Sequence, residues 1–163
     1  QRVLSDAEND ELVVQPGPVA VERVLLELAE SAAGWGEGRS IVIEMGEPPR
    51  LVSDATLLRR VLGNLLKNAV EATPAGGRIV LAASERDGEV EFSVHNPGVM
   101  PREVQLQVFQ RSFSTKGAGR GLGTYSVRLL TERYLGGCVG FESGEGSGTR
   151  FWVRVPAGGA PSG

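Results

Sequence analysis

The sequence predicts an α+β fold, a two-layer α/β sandwich in which a mixed sheet of about five strands carries three helices on one face. Three stretches have helical periodicity, and strand-like segments follow one another through hairpin connections. Helices that are segregated from hairpin-connected strands are typical of such a sandwich.

The composition is that of an ordinary globular domain, since 40% of the 163 residues are hydrophobic and 23% are charged. A net charge of −3 argues against a non-specific nucleic-acid binder, so no nucleic-acid partner is expected. No apolar run approaches the ~18 residues of a membrane span, and no signal-peptide pattern is present. The single cysteine, Cys138, excludes an intrachain disulfide, fits a reducing compartment and is predicted to lie in the core.

Three segments divide the chain. Residues 1–15 are polar and acidic without clear periodicity, so we expect a flexible remnant of an upstream segment. Residues 16–156 form the folded domain. Residues 157–163 are a disordered tail of glycine, alanine, proline and serine.

The first elements of the domain follow a Pro-Gly-Pro turn. Apolar residues at spacings of three and four predict a helix that ends near Gly34. A strand is expected at residues 41–45, and a short extended piece at residues 50–53.

The central helix is predicted at residues 54–74, with Ser53 or Asp54 as its N-cap. One broad arc of this helix is apolar. The opposite arc carries a polar stripe of Asn64, Lys67, Asn68 and Glu71. Asparagine is a mediocre helix former, so two of them in mid-helix cost some stability. Taken alone, the stripe is either a solvated face or a binding surface.

The second half of the chain supplies the rest of the sheet. Strands at residues 78–84 and 89–96 are joined by ERDG, a hairpin signal. A tight turn, a short helix and a glycine-rich run follow. A third long helix at residues 121–135 and strands at residues 137–143 and 149–155 close the domain.

The glycine-rich run STKGAGRGLGT, residues 114–124, ends at the start of a helix. Glycines at a helix N-terminus present free backbone amides to an anion, and phosphate is the anion that we expect to bind there. Lys116 and Arg120 add positive charge. The run matches neither the P-loop nor the dinucleotide fingerprint.

Five ordered motifs resemble those of the ATP-binding catalytic domain of sensor histidine kinases. This family shares a superfamily, and a Bergerat-type fold, with type II topoisomerases, heat-shock chaperones and mismatch-repair ATPases. In order, NLLKNAVEA resembles the N box, VHNPGVMP the first glycine box, VFQRSFSTK the phenylalanine box, GRGLGTYS the second glycine box and GSGTRFWVRVP the closing strand. The resemblance covers residues 12–156.

The resemblance implies a site for ATP and Mg²⁺. Asn68 would hold Mg²⁺, which suits a neutral amide oxygen. Asn64 would assist the phosphates or the metal shell. Lys67 would neutralise phosphate charge or be a surface lysine, and Glu71 would lie near the site or be solvated. The other implied nucleotide-binding residues are Asn96, Gly98, Met100, Phe109, Ser114, Thr115, Lys116, Gly119, Arg120, Gly121, Leu122, Gly123, Thr124 and Thr149.

The first glycine box departs from the family pattern DxGxG. Asn96 and Gly98 occupy its first two positions, and the second glycine is absent. Asparagine keeps a carbonyl oxygen that accepts a bond from the adenine amino group, but without charge assistance. Adenine selectivity should therefore survive with weaker affinity. In an alternative alignment, which we disfavour, His95 takes the Asp position.

Hydrolysing relatives carry a glutamate base four residues before the Mg²⁺-binding asparagine. Here that position is Asn64, which takes no proton, so phosphoryl transfer to an external histidine is expected instead of hydrolysis. The acceptor histidine is expected upstream of Gln1, in a dimerising helical hairpin of the same protein. Residues 99–118 should form a mobile lid, in which Phe109 and Phe113 act either as anchors or as contacts to that hairpin.

The implied partners are this histidine-containing domain and the receiver domain of a response regulator. The whole protein should be a homodimer, and this chain alone a monomer. The cytoplasm is the expected compartment, for a free protein or for the cytoplasmic part of a membrane sensor. Two alternatives stay open: a degenerate nucleotide-binding domain that regulates a partner without phosphotransfer, and a hydrolytic ATPase of the same superfamily.

Overall fold

The structure, a computed structural model, describes residues 2–35, 38–110 and 122–159. Its helices are α1 (Arg2–Glu8), α2 (Val21–Ala33), α3 (Ala55–Ala72), α4 (Arg102–Gln105) and α5 (Leu122–Leu129), the last continued by a π-helical turn (Leu130–Tyr134). Its strands are β1 (Gly17–Pro18), β2 (Ser40–Glu44), β3 (Val52–Ser53), β4 (Arg78–Arg86), β5 (Glu89–Asn96), β6 (Cys138–Gly144) and β7 (Gly148–Pro156).

The main sheet has five strands in the order β2-β4-β5-β7-β6. The pair β2 and β4 is parallel, because helix α3 connects the two strands, and the other three pairs are antiparallel. The predicted mixed five-stranded sheet and α+β class are therefore confirmed. A separate antiparallel pair of β1 and β3, which the sequence analysis did not predict, joins the approach to α2 to the approach to α3.

The core lies between the sheet and helices α2, α3 and α5. Alternate residues of the strands are buried against these helices, among them Val90, Phe92 and Val94 of β5. The predicted apolar arc of α3 is buried along its whole length, comprising Leu57, Leu58, Val61, Leu62, Leu65, Leu66, Ala69 and Val70. The buried face of the sheet and the apolar arc of α3 therefore pack together in a single core.

Two local signals in the sequence correspond to defined geometry. Asp87 and Gly88 link β4 to β5 with φ values of 54° and 81°, as the two-residue turn of a twisted hairpin requires. Asp54 caps α3, because its carboxylate accepts a hydrogen bond from the Leu57 amide at 3.0 Å. The same carboxylate also accepts from the Gln15 amide at 2.9 Å.

The first residues differ from the expected flexible segment, since residues 2–8 form α1. The hydroxyl of Tyr134 donates to the Ala7 carbonyl at 2.7 Å, and that of Tyr125 donates to the Glu8 carboxylate at 2.9 Å. Arg133 donates to the same Ala7 carbonyl at 3.2 Å. Free carbonyls at the end of a helix need such donors, and partners 117 to 127 residues away leave no periodicity in the local sequence. The boundary at residue 16 stays a prediction.

Two further expectations concern Cys138 and the tail. Cys138 begins strand β6 as predicted, but it is exposed, so its assignment to the core is wrong. The reason is its place on the outer strand of the sheet. In the tail, the Ala157 amide donates to the Gly88 carbonyl at 2.9 Å, and its carbonyl accepts from the Val52 amide at 2.8 Å. Residues 160–163 lie outside the described residues.

The described helices include none that is both long enough and apolar enough to cross a membrane.

Candidate functional site

The polar stripe of α3 faces the first turn of α5. The Asn64 side-chain amide donates to the Ser126 hydroxyl oxygen at 3.1 Å, and this hydroxyl donates to the Gly123 carbonyl at 3.2 Å. Asn68 lies one turn further along the same stripe and is half-buried, whereas Lys67 is exposed. The structure thus brings Asn64 of α3 beside the N-terminal part of α5.

The start of α5 presents backbone amides that have no acceptor within the helix itself. Leu122 is its first residue, and the first amides of a helix have no partner within it. A Cβ added at Gly123 would meet nothing within 4 Å, so the backbone there borders open space. Such a helix start, with the positive end of its dipole, favours an anion.

The other end of the site lies where β5 ends. Asn96 is 4% exposed and is paired across the sheet with Thr149, which is equally buried. A Cβ on Gly98 would lie 3.4 Å from the Asn96 amide nitrogen and 3.5 Å from the Ala72 carbonyl oxygen. The first glycine box therefore packs against the C-terminal end of α3. Helix α3 thus extends from one end of the site to the other.

A chain of hydrogen bonds holds the turn after Asn96. The Thr149 hydroxyl donates to the Gly98 carbonyl at 2.8 Å, and it lies 2.7 Å from the Ser143 hydroxyl. The Met100 amide donates to Ser143 Oγ at 2.7 Å, and Gln105 donates to the Met100 carbonyl at 2.7 Å. Met100, which stands where the family pattern has its second glycine, is thus tied down at both its amide and its carbonyl.

Two predicted nucleotide-binding residues bond to the protein itself. The buried Thr124 donates its hydroxyl to the Val108 carbonyl, which links α5 to the segment after α4. Phe109 packs on the sheet, with its ring centroid 5.9 Å from that of Phe141 and 6.1 Å from that of Phe151. This aromatic cluster packs Phe109, which lies midway along the predicted lid, against strands β6 and β7.

His95 lies at the corner between β5 and β7. Its Nε2 is 2.7 Å from the Ser147 carbonyl, to which it donates. Gly148 follows with φ of 79°, and a Cβ there would lie 2.9 Å from His95 Nε2. This hydrogen bond fixes the His95 ring beside the turn between β6 and β7.

Several predicted site residues fall outside the described residues, namely Ser114, Thr115, Lys116, Gly119, Arg120 and Gly121, together with the lid residue Phe113. Their roles stay predictions. Glu71, at the end of the stripe, is half-buried.

Two residues of the site were missed by the sequence analysis, Ser126 and Ser143. Ser126 lies one turn into α5, after the glycine run. Its role as the partner of Asn64 is visible only when the two helices are packed, so the local sequence carried no signal for it. Ser143 is paired with Thr149 across the hairpin of β6 and β7. The strands predicted at residues 137–143 and 149–155 contained that signal, because a hairpin places the two residues that flank its turn opposite each other.

Comparisons with known proteins agree with this architecture. Residues 53–159 match the family model described as histidine kinase-, DNA gyrase B- and HSP90-like ATPase. The sensor protein DivL of Caulobacter vibrioides is 33% identical over 160 residues, which are 94% of this chain and 21% of DivL. The sensor histidine kinase CusS of Escherichia coli is 27% identical over 163 residues, which are 94% of this chain and 33% of CusS. The chain thus spans a fifth to a third of the length of these curated relatives.

Solved structures show the same fold. The nucleotide-free catalytic domain of the histidine kinase ThkA superposes with a TM-score of 0.79 at 28% identity, covering 88% of this chain and 97% of that one. Full-length ShkA in complex with AMPPNP gives a TM-score of 0.77 at 34% identity, covering 93% of this chain and 33% of ShkA. The chain belongs to the family of histidine kinase-, DNA gyrase B- and HSP90-like ATPases, and its fold is that of a histidine kinase catalytic domain.

Proposed function

We propose that this chain binds Mg²⁺-ATP and transfers the γ-phosphoryl group to a histidine on a separate dimerisation domain of the same protein. The observation that carries the proposal is the hydrogen bond from Asn64 to Ser126, because it brings the asparagine stripe and the start of α5 to one place. A triphosphate between them would meet amide side chains on one side and the backbone amides of a helix start on the other.

Asn68 is the proposed Mg²⁺ ligand. The described residues contain no cluster of three or more histidine, cysteine, aspartate or glutamate side chains that could hold a metal. Mg²⁺ does not need such a cage, since it keeps several waters and takes substrate phosphates with one or two protein ligands. A single amide oxygen beside a phosphate site suits this mode of binding. When bound, the ion would neutralise charge on the phosphates.

Asn96 is the proposed partner of the adenine amino group. It is buried at the end of β5, and its side-chain oxygen is able to accept one hydrogen bond from that group. The hydroxyl chain through Thr149 and Ser143 holds the neighbouring turn in place.

The proposed reaction is transfer instead of hydrolysis. At position 64 the chain has an amide that already donates to Ser126, and an amide does not accept a proton from water at neutral pH. His95, the chain's one histidine, lies on β5 and its ring donates to the Ser147 carbonyl. The acceptor is therefore proposed to lie outside this chain, as is a response regulator that receives the phosphoryl group next. One solved ThkA structure is a complex with the response regulator TrrA.

Calorimetry with ADP and ATP, with and without Mg²⁺, tests the binding step. We expect Asn96→Ala to weaken both nucleotides in all conditions, because it removes a contact to the base. Asn68→Ala should instead reduce the gain in ATP affinity that Mg²⁺ produces. Asn9→Ala, an exposed asparagine just after α1, is the matched control and should bind as the wild type does. Equal nucleotide binding by all three variants would contradict the proposed site.

Radiolabelled ATP with the whole protein tests the transfer step. We expect an acid-labile phosphohistidine outside this chain, and its loss in Asn68→Ala. ATP binding without any phosphohistidine would favour the regulatory alternative, which the altered first glycine box motivates. Rapid ATP turnover by the isolated chain would favour a hydrolytic ATPase.

A further inference from the structure

The first part of α5 is held by three consecutive side chains, each of which bonds to a different part of the chain. Thr124 donates to the segment after α4, and Ser126 accepts from Asn64 of α3. Between them, the Tyr125 hydroxyl donates to the Glu8 carboxylate at 2.9 Å. The same turn that borders the proposed phosphate site is therefore bonded to α1.

This turn depends on such contacts because its own helical stability is low. Glycine is among the least favourable residues in a helix, and Gly123 is the second residue of α5. The ends of a helix are also the parts that fray most readily. The backbone amides that would face an anion belong to this turn. Their alignment is therefore better where tertiary bonds hold the turn in its helical form.

The end of α1 is a defined structure that packs on α5 and its continuation. The Glu11 amide donates to the Asp6 carbonyl at 2.8 Å, and the Asp10 amide donates to the Ala7 carbonyl at 3.4 Å. Together with the φ of 59° at Asp10, these bonds form a Schellman motif. Ala7 is fully buried, and its carbonyl also accepts from the Tyr134 hydroxyl at 2.7 Å. The last turn of α1 therefore has a fixed position.

A π-helical turn brings a second tyrosine to the same place. Tyr125 and Tyr134 are nine positions apart, and at roughly 100° per residue a regular α-helix would put them on opposite sides. The Leu135 amide donates to the Leu130 carbonyl at 3.0 Å, an i→i+5 bond that adds one residue to the turn. Both tyrosines therefore reach the last turn of α1.

We propose that Tyr125 is a positioning residue that couples the docking of α1 to phosphate binding at the start of α5. While α1 is docked, the bond to Glu8 opposes fraying and keeps the amides of Leu122 and Gly123 aligned for an anion. Coupling of this kind is reciprocal, so a bound nucleotide also holds α1 in place. The two states are α1 docked and α1 released, and this inference rests on the proposed nucleotide site.

Calorimetry with ADP and single-residue hydrogen exchange test the coupling in the wild type and in Tyr125→Phe, which removes only the hydroxyl. ADP affinity should fall about fivefold in the variant, the lower end of the usual coupling between two sites. In the wild type, ADP should slow exchange of the Asn9 and Glu11 amides, which are bonded at the end of α1, by the same factor. In Tyr125→Phe, ADP should leave the exchange of these amides unchanged.

Variants on α1 separate positioning from a general loss of stability. Glu8→Ala should lower ADP affinity as Tyr125→Phe does, and in the Tyr125→Phe background it should lower the affinity no further. Glu11→Ala is the matched control, since it removes an exposed carboxylate three residues beyond Glu8. Its ADP affinity and its ADP-dependent exchange should equal those of the wild type. If Tyr125→Phe does not fold, Glu8→Gln, which keeps a weaker acceptor, should show a smaller loss of the same kind.

Three outcomes would overturn the role of Tyr125. The first is unchanged ADP affinity in Tyr125→Phe. The second is lower affinity without any effect of ADP on exchange in α1 of the wild type, which would give the hydroxyl a structural role only. The third is a rise in ADP affinity in Glu8→Ala, which would show that the carboxylate repels the phosphates. Binding of neither ADP nor ATP by the wild type would instead overturn the proposed nucleotide site itself.

Discussion

Asn64 and Ser126 are 62 residues apart in the chain, and their side chains are joined by a hydrogen bond of 3.1 Å. This contact aligns the polar stripe of α3 with the first turn of α5. It also explains why an asparagine is present in mid-helix, where its propensity is poor, since its amide has a partner on another helix.

Ser126→Ala removes the partner of Asn64 and tests whether this alignment serves binding. We expect ADP affinity to fall about fivefold, because a neutral hydrogen bond contributes about 1 kcal/mol. Calorimetry measures the affinity, and thermal unfolding checks that the fold is retained. Ser84→Ala, on an exposed position of β4, is the control. Unchanged ADP affinity in Ser126→Ala would mean that the contact serves packing alone.

Gly148→Ala tests the turn behind Asn96. Gly148 and Gly146 both have positive φ, 79° and 82°, but only at Gly148 would a Cβ clash, with the Asn96 carbonyl, the His95 ring and Pro97. Each substitution should cost about 1 kcal/mol for the backbone strain, and Gly148→Ala should cost a further 1 to 3 kcal/mol for the overlap. Chemical denaturation measures both. Equal losses in the two variants would contradict the close approach.

The acid stability of the domain should depend on Glu91. Burial acts to raise its pKa, but hydrogen bonds from Arg154, at 2.8 Å, and from Arg150 outweigh burial and hold the pKa below its ordinary value. Because the folded pKa is the lower one, the stabilisation is present above the ordinary glutamate pKa and is lost as the pH falls through the folded value.

Glu91→Gln removes this linkage and should flatten the loss of stability below about pH 4.5. At neutral pH the variant should be less stable by about 1 kcal/mol, since the pair is partly exposed and screened by solvent. Unfolding by urea at several pH values measures both effects. Glu85→Gln, on an exposed position of β4, controls for the lost charge. If Glu91→Gln loses stability at low pH as steeply as the wild type does, groups other than Glu91 dominate the acid dependence.

Cys138 should react slowly with alkylating reagents although it is exposed. Partial burial raises the pKa of its thiol, and the negative charge of Glu89 adds to this effect. Because the thiolate is the reactive form, alkylation at about pH 8 should be slower than in the unfolded chain. Glu89→Gln should speed the reaction. A rate in the folded protein that equals or exceeds the unfolded rate would contradict the raised pKa.

Much of the fold could be predicted because its signals are local. The apolar arc of α3 repeats with the period of a helix, and Asp87-Gly88 has the residue types that a two-residue hairpin turn requires. The asparagine stripe was visible in the same pattern, but its meaning came from the resemblance of five ordered motifs. Motifs that follow one another along the chain can be recognised without knowing how the chain packs.

The remaining features depend on partners that are distant in sequence. Helix α1 is held by Tyr134, Tyr125 and Arg133, which lie more than 100 residues away, so a polar and acidic segment carried no sign of it. Cys138 has the apolar neighbours of a core residue, yet its strand lies at the edge of the sheet. The order of the strands in the sheet determines whether such a residue is exposed, and the local sequence carries no sign of that order.

By itself, the sequence determined the central helices, the strands of the main sheet, the class of the fold and the family, because side-chain periodicity and turn chemistry act between near neighbours. The tertiary structure alone decided that Asn64 meets Ser126 and that Ser143 meets Thr149 and Met100. Hydrogen bonds of this kind need two surfaces to be packed in one register, and that register is set by the whole core and not by either segment.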